Sequence, residues 1–270
     1  RGMTFIVSEE ERMEIAVLNL RAGEKAMSLA TFLISASYLK AGISLLSEDQ
    51  WEKHYDLSLQ LYSLYAEAEY CNGHFQDVAH ATGFVINKGK SFEDKNRVYA
   101  TLIKSLAAQN KTQEAMHIGF TVVTKLGVER NFSLPDKSVI MKDIMEIKMI
   151  LAKTTEAELL NFPEMKDNSM ITAMKFLQIL SLYAYLAKQQ YLPMLIVRML
   201  QLTLRHGICK ESCYAMSSFS FLLCQFEYFE ASDHIGRLAL FLLEKCKAEE
   251  YRSSIYLLHY GVVRSWSVHI

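Results

Sequence analysis

Apolar side chains recur at helical spacing along nearly the whole chain. In 52–71, Leu57, Leu61, Leu64, Tyr65 and Ala68 form one stripe at steps of 4, 3, 1 and 3, the face that an amphipathic helix turns to a core. In 170–188, Met174, Leu177, Ile179, Leu180 and Tyr183 crowd so closely that the spacing predicts a helix buried on most sides. Turn-forming residues interrupt the pattern at Ser47-Glu48-Asp49, Asn72-Gly73, Ser91 to Asp94, Asn110-Lys111, Asn131 to Pro135, Pro163 to Asn168 and Gly207 to Lys210. These breaks predict roughly eleven or twelve helices joined by short turns. Ser91 with Asp94 three residues on has the form of a capping box. Phe5-Ile6-Val7 is the best strand candidate, and it is very short.

The pattern repeats. Glu114-Ala115-Met116-His117-Ile118-Gly119 matches Ala231-Ser232-Asp233-His234-Ile235-Gly236 at a separation of 117 residues, three units of 39. Gln76-Asp77-Val78-Ala79 precedes Gln113 to Met116 by 37. Each copy follows a turn and opens a second helix that ends in an apolar run: Phe84-Val85-Ile86, Val122-Val123 and Leu238-Ala239-Leu240. A helix–turn–helix unit of this period is close to the tetratricopeptide class, at about 34 residues. One such hairpin cannot bury its apolar face alone, so neighbours stack into a curved array. The predicted class is all-α, a tetratricopeptide-like helical-hairpin superhelix. Its small residues Ala66, Ala68, Ala115, Gly119 and Gly236 let paired helices approach. The predicted division is a lead-in over 1–19 and one array over 20–270, truncated at its C-terminal end. The start at Arg1 and the stop at Ile270 inside a helical pattern are read as the ends of an excised segment.

Composition agrees with this class. Hydrophobic residues make up 51% and charged residues 22%, far from the disordered regime. Eleven Gly and three Pro are too few for many short strands. Net charge of −1 and a pI near 6.8 leave no electrostatic footprint for nucleic acid or an anionic membrane. The longest uncharged run, Ser212 to Phe226, is 15 residues, and Ala26 to Leu39 is 14, both short of about 20 for a membrane helix. Five Cys without a CxxC pair read as reduced thiols of a cytoplasmic protein.

Several strings invite chemistry and fail its geometry. Gly83 to Ser91 resembles a phosphate loop, but five residues separate Gly83 from Gly89 where four are needed, and a helix precedes it. Gly89 reads as a helix C-terminal glycine. None of the eight His is followed by an acid or sits in a ligand-like cluster with Cys or His. The shared repeat position of His117 and His234 points to helix packing. Cys209 and Cys213 are too few for zinc, and Cys71, Cys224 and Cys246 are distant in sequence. Glu67 with Glu69, and Glu156 with Glu158, are two apart and point to different sides of a helix, so each pair reads as a solvated face. Phe219, Phe221, Phe226, Tyr228 and Phe229 read mostly as core, a few as candidates to line a groove. No catalytic, cofactor-binding or metal residue is assigned.

In order and spacing, the chain resembles the tetratricopeptide-like helical region that follows an AAA/STAND-type ATPase in multidomain signalling kinases. The resemblance rests on Ala22 to Ala26, Tyr38 to Leu46, Trp51 with Tyr55, Ala66 to Phe75, Asp94-Lys95 with Val98-Tyr99, Asn110 to Ala115 and Leu126 to Val128. It continues through Phe162 to Met165 with Ala173-Met174, Met199 to Leu204 with His206-Gly207, and Gly236 to Glu244. It covers nearly the whole chain, and no single piece is specific. Asn168 and Phe162 depart from the family's usual Pro and Leu. Such proteins join a serine/threonine kinase-like domain, the ATPase, the helical repeats, GAF or PAS sensors and a histidine kinase. The resemblance implies signal transduction, with ATP and Mg²⁺ held by the parent protein and not by this segment. The expected role is a non-catalytic relay between nucleotide-binding and output kinase domains, with protein domains of the same chain or peptides as partners. The alternatives are a small-molecule effector sensor within the superhelix and a stand-alone adaptor.

Overall fold

The computed structural model describes residues 8–128 and 136–267. The strand candidate Phe5–Val7, the break at Asn131 to Pro135 and the last residues of the truncated helix lie outside them. The helices are α1 (Glu9–Ser28), α2 (Phe32–Ser44), α3 (Gln50–Lys53), α4 (Tyr55–Asn72), α5 (Phe75–Lys88), α6 (Phe92–Ala108), α7 (Thr112–Lys125), α8 (Lys137–Leu151), α9 (Glu156–Asn161), α10 (Asn168–Ala187), α11 (Leu192–His206), α12 (Lys210–Gln225), α13 (Phe229–Lys245), α14 (Arg252–Leu258) and α15 (Arg264–Ser267). Fifteen helices lie among the described residues, against the eleven or twelve predicted from the apolar pattern; eleven of them have thirteen residues or more. The chain is all-α, with successive helices packed as antiparallel pairs. It divides into two compact units, Arg1–Ile118 and Gly119–Ile270.

One turn geometry recurs. Ala30, Gly73, Asn110, Gly127, Glu227 and Lys247 all take left-handed backbone just past a helix end, with φ between 49° and 91°. In each case the next N–H reaches back five residues: Thr31 to Ala26, His74 to Glu69, Lys111 to Leu106, Val128 to Val123, Tyr228 to Leu223, and Ala248 to Leu243. The left-handed residue itself donates three back, as Gly73 does to Tyr70 at 3.1 Å and Glu227 to Cys224 at 3.0 Å. This is the Schellman arrangement, which satisfies carbonyls that a helix end leaves without donors. Two of the matched repeat copies begin at one place in this motif, since α7 and α13 open just after Asn110 and Glu227, 117 residues apart. The turns at Ala30, Glu227 and Lys247 carry no glycine and were not predicted. The uncharged run Ala26–Leu39 is split between α1 and α2 by the turn at Ala30.

In the first unit, α1 lies against α2, α2 against α4, and α4 against α5 and α6. Close approach comes from small residues: a Cβ on Gly23 would sit 2.6 Å from Leu39, and Ser35 donates its hydroxyl to the Gly23 carbonyl at 2.8 Å. The core gathers Leu39, Trp51, Val85 and Val98 with Leu61, Leu64, Tyr65 and Ala68 of the stripe predicted over 52–71, Leu57 being partly buried against it. Trp51 packs on Tyr55 and Tyr62, with ring centroids 5.9 and 5.5 Å apart.

In the second unit, α10, α11, α12 and α13 pack in succession, α8 lies on α11, and α9 on α13. The α12–α13 pair is joined by reciprocal serine bonds: Ser220 donates to the Ser232 carbonyl at 2.6 Å and Ser232 to that of Ser220 at 2.7 Å. The expected close approach at Gly119 holds, since a Cβ there would collide with the Leu180 side chain. The α10 helix buries Ala173, Met174, Phe176, Leu177 and Leu180 but exposes Leu182, Tyr185 and Leu186. It is therefore buried on one broad face and not on most sides. By length and composition alone α10 could cross a membrane, but a half-buried core helix passes the same test. Between α11 and α12, Met165 donates to the Ile208 carbonyl and Ile208 to that of Pro163, both at 2.8 Å. Gly207, at φ 106°, lets the chains close here, because a Cβ would come 2.6 Å from the Pro163 oxygen.

Candidate functional site

The phosphate-loop look-alike is a helix junction. Gly83 lies inside α5, Gly89 caps its C-terminus, and Ser91 caps α6 in a capping box with Asp94, as predicted. The N–H groups that a phosphate loop would offer are already engaged. Lys90 donates its N–H to the Tyr55 hydroxyl at 2.6 Å and Ser91 donates to Asp94 at 2.9 Å. Tyr55 donates its own hydroxyl to Asp94 at 2.6 Å, and that hydrogen bond holds the Asp94 carboxyl below its ordinary range. The Lys90 ammonium rests 4.1 Å over the Tyr55 ring.

In the second unit a cavity of about 450 Å³ opens beside the start of α12. Lys175, Lys210, Lys247, Glu211, Cys209 and Cys246 are among its lining residues. The structure thus brings Cys246 and Cys209 to one cavity, which sequence distance had hidden. All five Cys are free thiols. Burial pushes Cys209 up to about 12 and raises Cys213 and Cys246 as well, so these sulfurs stay protonated and poorly nucleophilic. Lys245 does not face the cavity as a free charge, since its ammonium caps the end of α9, donating to the carbonyls of Leu159 and Leu160 at 2.6 and 2.9 Å. Glu211, itself buried, accepts from the Tyr251 hydroxyl at 3.3 Å.

The carboxylate pairs fall differently from expectation. Glu158 closes the capping box of α9, and Glu67 holds Arg97 in a two-pronged pair at 2.6 and 2.7 Å. Glu69 is not on a solvated face: only 6% of it is exposed. Packing of α4 into α5 at Gly73 turns its side chain inward, where it meets His74 Nδ1 at 2.6 Å and the Asn72 amide at 3.2 Å. Asp77 accepts from the Tyr65 hydroxyl at 3.3 Å, and burial, followed by the bond to Glu69, raises the Tyr65 phenol well above its ordinary range. One ligand atom each from Glu69, His74 and Asp77 lies within 4.8 Å of the others. Histidine spacing to Cys or His alone does not reveal this group; the readable signal is acids five before and three after a His beside Asn72-Gly73.

The matched histidines differ. His234 bonds the Thr154 carbonyl at 2.9 Å, the packing role expected, while His117 is exposed. Of the aromatic group, Phe219 is fully buried and Phe226 is exposed. Lys148 sits 3.4 Å over the Tyr228 ring, and Phe229 stacks on Trp266 at 6.3 Å. A short π-helical turn, His259–Val263, follows α14. Its His259 is buried against Gly236, with Nδ1 lacking a hydrogen bond, and burial lowers its pKa. Large apolar groups face outward at Leu33, Ile34 and Tyr38 on α2, and at Leu257, Tyr260 and Trp266 near the end of the described chain.

No protein-family model matches the chain, and no solved structure matches it. Among curated proteins it is similar to hybrid signal transduction histidine kinase G of Dictyostelium discoideum. The identity is 20% over 298 aligned positions, taking in all of this chain and 9% of that protein. The relationship is distant, and it joins an all-helical segment to a small part of a multidomain signal transduction histidine kinase. The chain spans about 9% of the length of that relative.

Proposed function

We propose that this chain is a regulatory helical-repeat segment of a larger signalling kinase. It relays between a nucleotide-binding ATPase domain and an output kinase domain and performs no catalysis itself. The observation that carries this reading is the match along the whole chain to a short stretch of a far longer histidine kinase. The recurring Schellman hairpins support it, because stacked hairpins of this kind form tetratricopeptide-like arrays whose inner faces bind protein. The exposed apolar groups of α2 give such an array a surface for neighbouring domains or peptides. The parent protein would act in the cytoplasm and hold the ATP and Mg²⁺. The test is cross-linking within the full-length protein, with and without ATP, combined with ATP-binding calorimetry on the isolated chain. Cross-links from α2 to other domains that change with ATP, and no heat from the isolated chain, are expected. Saturable ATP binding by the isolated chain contradicts the relay.

A second reading, an effector sensor, is favoured by the lysine-lined cavity beside α12. A screen of small carboxylates and phosphates by thermal shift tests it, since a ligand raises the melting point as its concentration exceeds Kd. A shift abolished by Lys210→Ala supports the sensor.

A further inference from the structure

We propose that Glu69, His74 and Asp77 form a binding site for a divalent transition-metal ion of the zinc class, which pins the α4–α5 turn. Comparison of the repeats shows how unusual these side chains are. At a Schellman turn the residue whose carbonyl accepts the long bond and the residue that donates it usually touch through apolar groups. The accepting residues here are Ala26, Leu106, Val123, Leu223 and Leu243 at five turns, and Glu69 at the sixth. Turn geometry therefore does not require a carboxylate, and burying one is costly unless a charge answers it. The fold supplies one partial answer, His74, which a proton must charge. Among the described residues no lysine or arginine pairs with either Glu69 or Asp77.

A divalent ion answers both carboxylates at once. Two carboxylates and a neutral imidazole are a donor set that zinc accepts, with metal–ligand distances of about 2.0–2.2 Å. Around such an ion tetrahedral donors stand about 3.4 Å apart, inside the 4.8 Å that spans the three atoms. The adjustment required is the opening of the 2.6 Å contact between His74 and Glu69 as metal replaces the shared proton. The anchors are fixed, since Glu69 is buried in α4 and all three residues straddle the rigid turn at Gly73. The route in is open because His74 is half exposed. Tyr65 donates its hydroxyl to Asp77, the kind of outer hydrogen bond that orients metal ligands. A fourth position is left to water or to a donor from a partner.

The test is Zn²⁺ titration of the full chain by calorimetry, with Co²⁺ absorption to report ligand type. One equivalent is expected to bind, with Co²⁺ bands of an oxygen–nitrogen site and no thiolate charge-transfer band. His74→Gln keeps a donor for Glu69, and together with Asp77→Asn it is expected to abolish that equivalent while leaving metal-free melting close to the parent. Tyr65→Phe is expected to weaken binding about tenfold. Absence of saturable binding overturns the proposal and leaves a histidinium–carboxylate pair. So does an equivalent that survives the double variant His74→Gln with Asp77→Asn, or one that brings thiolate bands.

Discussion

At the α4–α5 turn the chain ends a helix with Glu69 beneath and His74 above, half open to water. At the α12–α13 turn the same backbone bonds place Leu223 beneath and Tyr228 above, with Leu223 wholly buried. The left-handed residue is Gly73 in the first and Glu227 in the second. One backbone solution thus tolerates opposite chemistry. Geometry is held by the carbonyls, and side chains are free to seal the turn or to equip it.

Exchanging the buried residue between the turns breaks the comparison hardest. Leu223→Glu places a carboxylate in a dry turn without a partner and should cost about 3–5 kcal/mol, read as a large drop in denaturant midpoint. Glu69→Leu should be neutral or stabilising in metal-free buffer, because an apolar residue fits this position at other turns. If both substitutions destabilise alike, the turns are not equivalent. Exchanging the left-handed residues gives smaller changes. Gly73→Ala should lose about 1 kcal/mol. Glu227→Gly relieves about 1–2 kcal/mol of left-handed strain and pays back about 0.5–1 kcal/mol in backbone entropy, a small net gain by thermal melting.

Those left-handed residues also mark what could be read in advance. The turns at Gly73 and Asn110 were legible because Gly and Asn populate that backbone readily. Ala30, Glu227 and Lys247 do not advertise it, so the turns they make were not legible. The all-helical class, most of the stripe Leu57–Leu61–Leu64–Tyr65–Ala68 and the Ser91 capping box follow from local periodicity and hydrogen bonding, and they were legible. Side-chain convergence was not. Glu69 looked solvated because i,i+2 spacing speaks only of its own helix, while α5 folding back at Gly73 decides its burial. Cys246 and Cys209 come to line one cavity through packing alone.

Acid sharpens the comparison further, with the smallest effects. His259 packs on α13 beside Asp233, Arg237 and Arg264, and its pKa is depressed chiefly by burial. A depressed histidine binds fewer protons folded than unfolded, so its stabilisation is complete above the ordinary value of about 6.5. It fades as pH falls from there toward the folded pKa. Hydrogen-exchange protection factors at α14 and the following π-turn, corrected for the intrinsic pH dependence of exchange, should therefore fall on mild acidification, and His259→Phe should remove the effect. Asp94 is also depressed, by Tyr55 first, so its contribution is present above about 3.9 and fades only in stronger acid. Tyr55→Phe should return the Asp94 carboxyl toward its ordinary range by NMR titration.

The relay itself is tested most directly by phosphate incorporation into the full-length protein, intact against Leu223→Glu, with nucleotide binding followed in parallel. The account predicts that disrupting this helical segment changes kinase output while ATP still binds with the parent affinity. Unchanged output from a protein whose segment is shown by hydrogen exchange to be unfolded would contradict it.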